Sequence, residues 1–134
     1  MSGVLIAGEL LGSTASLTSV VPAAQIRAWK LPQGSPLPSI LVTRVSRVKQ
    51  QFLAAQRVWL VTERVQVTVR ASNGVQREEI IRLVERACAD RTGPIAGFAA
   101  VAVLLAGAGP VFQDDAAEIF MGSTDLRVSF NEPP

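Results

Sequence analysis

The sequence predicts an α+β domain, with a mostly antiparallel β-sheet of about four strands, two or three flanking helices and a protruding β-hairpin. Three observations predict this class. Hydrophobic residues alternate with polar ones over 64–70, as in a strand with one buried face. They recur every three to four residues over 80–88, as on one side of a helix. The 134 residues suit a single domain spanning 1–134.

The first element, residues 2–21, is helix-like. Its apolar set is Leu5, Leu10, Leu11, Leu17, Val20 and Val21. Because glycine lowers helix propensity, we expect a break near Gly12. Ser13 or Thr14 then caps a second short helix, which Pro22 ends.

A hairpin follows the proline-rich loop 30–38. The first half of the first strand, Ser39–Val48, is apolar on both faces, and this half is therefore expected to be central in the sheet. The segment 49–57, "KQQFLAAQR", is a hairpin tip or a short ordered loop. The second strand, Val58–Arg70, would be roughly 43 Å long, against about 36 Å for the diameter of a compact domain of this size. We therefore expect the hairpin to overhang the body with unpaired edges, which isolated monomers avoid.

A helix is predicted over Asn73–Asp90. Its apolar stripe is Ile80, Leu83, Val84, Ala87 and Cys88. Asn73-Gly74 is also a hairpin signal, but the helical period that follows it favours Asn73 as the N-cap, in a capping box with Gln76. Gly93-Pro94 supplies the stop signal.

Two strands close the chain, about Phe98–Leu105 and Ser123–Phe130, with "IFM" at 119–121 extending the second. The uncharged run 92–113 has the length of a membrane span, but glycines and prolines interrupt it, so we expect a buried strand. The N-terminus carries Glu9 and no basic region, which argues against a signal peptide.

The composition excludes several kinds of chemistry. Histidine and tyrosine are absent, and Cys88 is the one cysteine. A Ser-His-Asp or Cys-His nucleophilic site and the usual Cys/His zinc site are therefore excluded. We expect no enzyme, no metal and no cofactor, with Cys88 as a core residue. The acids Asp114, Asp115 and Glu118 are expected to lie in a solvated loop.

Charge is unevenly distributed along the chain. Residues 27–91 hold twelve Lys and Arg against five acids, whereas 92–134 hold one Arg against five acids. Arg44, Arg47, Lys49 and Arg57 cluster around the hairpin tip. This cluster indicates ordinary solvation, or contact with nucleic-acid phosphate or an acidic partner. A small basic nucleic-acid-binding module thus stays an alternative, as does a small-molecule-binding domain, which would need a carboxylate-lined pocket.

The chain resembles the small tail-terminator, or tail-completion, proteins of tailed bacteriophages and of phage-like gene-transfer particles. The segments that carry the resemblance are "LPQGSPLPSILVTRVS", "ERVQVTVRAS", "EEIIRLVERA" and "DLRVSF". The resemblance spans nearly the whole chain, and it departs from the family in the glycine-interrupted first helix.

The resemblance implies a structural virion protein. Members form a ring, hexameric in the family, that caps the tail tube at its head-proximal end and offers a surface to the head connector, or stopper. Its partners would be other copies of itself, the tail tube protein, the connector and DNA that passes through the lumen without sequence-specific binding. The resemblance implies assembly in the host cytoplasm and neither membrane nor cofactor. Another neck or connector ring protein of similar size stays an alternative.

A ring needs heterologous contacts, in which one surface meets a different surface of the next copy. The basic middle and the acidic last third supply complementary charges. The residues predicted for the subunit or ring interface are Arg44, Arg47, Lys49, Phe52, Arg57, Arg64, Gln66, Thr68, Arg70, Asp114, Asp115, Asp125 and Arg127.

Overall fold

The computed structural model describes residues 2–30, 36–50, 59–109, 111–114 and 119–132. The helices in these ranges are α1 Ser2–Ser13, α2 Ala15–Thr18 and α3 Gly74–Cys88. The strands are β1 Ile26–Ala28, β2 Ser39–Gln50, β3 Trp59–Ala71, β4 Arg91–Ile95, β5 Phe98–Ala108, β6 Phe112–Asp114 and β7 Ile119–Glu132. The predicted α+β class is confirmed.

The seven described strands form one sheet. Six lie in the order β1-β2-β3-β7-β5-β4, and β6 pairs with β7. Because β1 runs parallel to β2 while the other pairs are antiparallel, the sheet is mixed. The prediction of about four strands is wrong in number. β1 and β6 have three residues each, too few to show a period of two, and β4 contains the Gly93-Pro94 pair that indicates a turn.

The predicted hairpin is present, with residues paired from Ser39 opposite Arg70 to Gln50 opposite Leu60. The expectation of unpaired edges is wrong for β3, because β7 pairs with it along its whole length. The free edge is instead the outer side of β2, where β1 pairs only with 40–42 and no other described strand follows. The tip at 51–58, including Phe52 and Arg57, lies outside the described residues.

The helices cover one face of the sheet. Val61, Val65, Val67 and Val69 of β3 are buried on this helix face, as their alternation predicts. Gly3 of α1 lies against this same row. We call the opposite side the open face; the residues of β3 on it are half-buried or exposed, namely Leu60, Thr62, Arg64, Gln66, Thr68 and Arg70. Within the described ranges, none of the helices combines the length and the apolar character that crossing a bilayer requires.

The helix break predicted near Gly12 is confirmed, since α1 ends at Ser13 and α2 begins at Ala15. The predicted cap is not formed. Thr14 occupies the N-cap position of α2, but its hydroxyl donates back to the Leu10 carbonyl at 2.7 Å instead.

The start of α3 agrees with the sequence and its end does not. The Asn73 side chain caps the helix by accepting from the Gln76 N–H at 2.7 Å. In a capping box, the Gln76 side chain would accept in return from the N–H of Asn73, the N-cap residue. Here the Gln76 amide oxygen accepts instead from the N–H of Ser72, one residue earlier, at 3.0 Å. The helix stops at Cys88, before Asp90 turns the chain with a φ of 54°.

Gly122 of β7 lets α3 pack closely on the sheet. A Cβ built there would lie 2.8 Å from Ile81 Cδ1 and 3.2 Å from Arg77 Cδ. We expect Gly122→Val to lower the free energy of unfolding by about 1–3 kcal/mol, because the added methyl groups overpack this contact. Urea denaturation measures the change. Gly8→Ala is the control: its Cβ would meet nothing within 4 Å in α1, and we expect equal or greater stability. An unaltered Gly122→Val variant would contradict the expected packing.

Candidate subunit interface

The open face brings together part of the predicted interface. Residues directly opposite in an antiparallel pair point to the same face. In the register of β3 and β7, Arg64 is opposite Arg127 and Gln66 is opposite Asp125. Six predicted interface residues therefore share this face: Arg64, Gln66, Thr68, Arg70, Asp125 and Arg127.

An ion pair bridges the two central strands. Arg64 Nε donates to Asp125 Oδ2 at 2.8 Å, and Arg64 NH2 lies 2.7 Å from the same oxygen. Asp125 is 7% exposed, whereas the Arg64 side chain is 47% exposed. Asp125 Oδ1 is buried and has no hydrogen-bond partner among the described residues. The pair neutralises Arg64 and holds its guanidinium against the sheet.

The end of β5 covers the middle of β7. A β-bulge between Leu105 and Gly107 bends β5. Past the bulge, the Gly109 N–H donates to the Ser123 carbonyl at 2.8 Å. A Cβ built at Gly109 would overlap Ser123 Oγ, so only glycine permits this close approach. The chain at Gly109 thus lies against the side chain of Ser123, which is buried although it is polar.

Arg127 is left beside this ion pair without a partner of its own. It is exposed, and no ion pair or hydrogen bond reaches it from the described part of the chain. It lines a recess of about 210 Å³ together with Ser46, Val48, Thr62, Arg64 and Ala106. The recess thus holds two guanidinium groups and two hydroxyls on the open face. Ser46 and Val48 are absent from the predicted set, because the β-bulge that brings them to this face leaves no mark in the hydrophobic pattern.

The other cations of the hairpin point elsewhere. The bulge between Arg44 and Ser46 shifts the register of β2. Arg44, before the bulge, is opposite Val65 of the helix face. The bulge places Arg47 and Lys49 opposite Glu63 and Val61 of the same face. The structure therefore separates them from Arg64 and Arg127, whereas the sequence groups all of these cations in one interface.

Two further predicted residues lie near the end of the chain. Only the backbone of Asp114 is described. Asp114 is the last residue of β6 and is paired with Ile119 of β7. Asp115, like Phe52 and Arg57, lies outside the described residues.

Glu63 is a buried structural residue that sequence reasoning missed. It is fully buried on the helix face. Its Oε2 lies 3.3 Å from Arg47 NH1, and its Oε1 accepts from the Gly3 N–H of α1 at 3.3 Å. The carboxylate thus ties the first turn of α1 to the hairpin. Its signal is visible in the sequence, because Glu63 falls in phase with Val61 and Val65 at a position that should be apolar.

A groove of about 330 Å³ separates α1 from β1. Apolar side chains of Val4, Leu5, Ile26 and Trp29 line it together with Glu9. Leu5 and Trp29 are about half-exposed large apolar residues, with relative exposures of 54% and 48%. The lining is not the carboxylate-rich pocket that a small-molecule-binding domain of the predicted alternative would need.

Cys88 is buried in the core, as its place on the apolar stripe predicts. Burial raises the pKa of its thiol to about 12, although the nearby Arg91 charge acts in the opposite direction. The thiol therefore stays protonated and unreactive at neutral pH. Among the described residues, no three His, Cys, Asp or Glu side chains are grouped so that they would hold a metal ion.

Comparison with known proteins gives a likeness of fold. No family model and no curated protein matches the chain. Among solved structures, the chain is similar to one in a structure described as the virion of a native gene transfer agent (GTA) particle. The TM-score is 0.69 at 11% sequence identity, over 96% of this chain and 94% of the other. At this identity the two chains share an overall fold along nearly their full lengths.

Proposed function

We propose that this chain is a structural protein of a phage-like particle, in which copies join into a ring, a hexamer, that caps the tail tube and joins it to the head connector. The observation that carries the proposal is the likeness in fold to a chain of a gene transfer agent virion, which extends over nearly the whole of both chains. The segments named in the sequence independently resemble tail-terminator proteins.

The surface of the chain supports a role in assembly. The open face exposes Arg127 beside the Arg64–Asp125 pair, and the outer edge of β2 has no described strand beside it past residue 42. Arginine is among the residues that protein interfaces favour. An unpaired edge and a charged face differ in kind, which is what a heterologous contact between neighbouring copies requires.

Imaging and mass measurement test this proposal directly. The purified chain is examined by native mass spectrometry and by negative-stain electron microscopy over a range of concentrations. We expect a closed ring of six copies with a central hole. A chain that stays monomeric, both when purified and in the particles of the cells that produce it, would overturn the proposal.

Two further experiments separate the alternatives. A neck ring would be found between the head and the tail cap when labelled particles are imaged, whereas a tail cap is found at the end of the tail tube. A nucleic-acid-binding module would show DNA affinity that falls steeply with salt, because phosphate contacts release counterions. We expect only weak DNA binding by the assembled ring.

A further inference from the structure

The recess on the open face contains an unbalanced pair of like charges. Arg64 and Arg127 are directly opposite each other on β3 and β7. Side chains in such positions start about 5 Å apart, and like charges there destabilise a sheet. Asp125 neutralises one of the two guanidinium groups, and Arg127 has no anion within the described residues. The folded chain therefore presents one uncompensated positive charge at a fixed place.

The surroundings of Arg127 suit one oxyanion. Ser46 and Thr62 line the recess of about 210 Å³ together with the two arginines, and the Thr62 hydroxyl lies 3.3 Å from Ser129 Oγ. Arginine donates pairs of N–H groups in a planar fork that matches the two oxygens of a carboxylate. On the same face, Val48 is opposite Thr62 and Leu104 is opposite Arg127. Both are exposed, at 64% and 45%, and they would exclude water once a partner covers them.

We infer that this recess binds a carboxylate side chain of a second copy of this chain, held by Arg127 together with Arg64. The inference rests on the proposed ring and names one of its contacts. The chain supplies the complementary charge itself, since residues 92–134 carry five acids against the single basic residue Arg127. An acid of a neighbouring copy that enters the recess makes the heterologous contact that closes a ring.

A nucleic-acid phosphate fits the recess less well. Each strand of a DNA duplex carries a phosphate about every 3.4 Å of helix axis and is held by a series of cations. On the open face, the next arginine of β3 is Arg70, six residues from Arg64, which is about 20 Å along the strand. The recess is thus a site for one anion with apolar residues around it, not a track along a backbone.

Charge reversal at Arg127 tests the inference. We expect Arg127→Glu to raise the concentration needed for half-assembly by about 100-fold or more, because a covered carboxylate would then face another carboxylate. Arg127→Gln, which keeps the size and loses the charge, is expected to raise it about tenfold. Sedimentation velocity and native mass spectrometry measure assembly, and circular dichroism checks that both variants are folded. Arg82→Glu is the matched control, since Arg82 is exposed on α3 at the other side of the sheet.

Rescue identifies the occupant. Arg127→Glu is combined in turn with Lys at each acidic residue other than Glu63 and Asp125. We expect one combination to restore assembly at least tenfold, and failure of all of them would overturn the inference. If Arg127→Glu assembles as the unmodified chain does, the recess is not an interface and the inference is overturned, but the proposed ring is unaffected. If the unmodified chain forms no ring, the proposed function itself fails. If Arg127→Glu still forms intact rings but no longer binds a 20-nucleotide DNA, the recess binds a phosphate instead of a carboxylate, and the inference is overturned.

Discussion

Replacing Glu63 with alanine is expected to lower the free energy of unfolding by about 3 kcal/mol, which is a large part of the stability of a domain of this size. Two losses combine. The Gly3 N–H at the start of α1 loses its acceptor, which costs about 1–3 kcal/mol for a buried donor. Arg47 loses its partner, the Glu63 carboxylate, but the Arg47 side chain is 28% exposed and its guanidinium can be hydrated instead. The expected loss of stability is therefore at the low end of the range for a broken buried ion pair.

Urea denaturation followed by tryptophan fluorescence measures this change. Glu63→Gln keeps the shape and one acceptor oxygen, and we expect about half the loss. Glu79→Ala is the control, since Glu79 is an exposed acid of α3, where a substitution changes stability by no more than about 0.5 kcal/mol. Hydrogen exchange should rise first in α1, because Glu63 holds its first turn. Equal stability of Glu63→Ala and Glu79→Ala would contradict a structural role for this carboxylate.

The close approach at Gly3 explains why this carboxylate is tolerated. A Cβ built at Gly3 would lie 2.8 Å from Glu63 Oε1 and 3.0 Å from Val65 Cγ2. Because position 3 has no side chain, the backbone N–H of the helix can reach the carboxylate. A carboxylate at the N-terminal end of a helix also interacts favourably with the helix dipole. The Gly3 N–H of α1 and the Arg47 guanidinium of the hairpin therefore stabilise the buried charge together.

The fold was predictable from the sequence where an element is long and periodic. β3 and α3 alternate and repeat as expected, and both are confirmed. "IFM" does extend the last strand, since β7 begins at Ile119. The short strands β1 and β6 carry no periodic signal, and Gly93-Pro94 in β4 follows turn chemistry although it lies in a strand. Tertiary pairing, which the local pattern does not show, determines these elements.

The candidate interface was predictable only in part, and the β-bulge in β2 explains why. Alternation along β3 places Arg64 and Arg70 on one face, and the structure agrees. For β2 the alternation is interrupted by the bulge at Arg44 and Ser46, which sends Arg47 and Lys49 to the helix side. A bulge adds one unpaired residue and reverses the facing of all that follows it. Charge clustering in sequence therefore overstates clustering in space.

The hairpin tip is expected to join the ring to its neighbours, and this expectation depends on the proposed function. Gln50 and Leu60 are the last paired residues of β2 and β3. Replacing 51–59 with Asn-Gly closes the hairpin with a two-residue turn and leaves this pairing in place. We expect the shortened chain to fold and to form rings, because Arg127 and the open face are untouched. We expect joined heads and tails, counted by electron microscopy of particles, to fall at least about tenfold, the factor that roughly 1.4 kcal/mol of lost contact represents.

A variant of equal length separates reach from chemistry. Glycine and serine in place of residues 51–58 keep the length of the tip but remove Phe52 and Arg57, the predicted contact residues. If this variant fails as the shortened one does, the side chains make the contact; if it joins normally, the tip acts by its length alone. Rings that attach normally with the shortened hairpin would show that the joining surface lies elsewhere. Under the proposed function, Arg127 acts in ring closure and the tip in attachment, so we expect the two substitutions to fail at different stages, with free monomers for Arg127→Glu and free rings for the shortened hairpin.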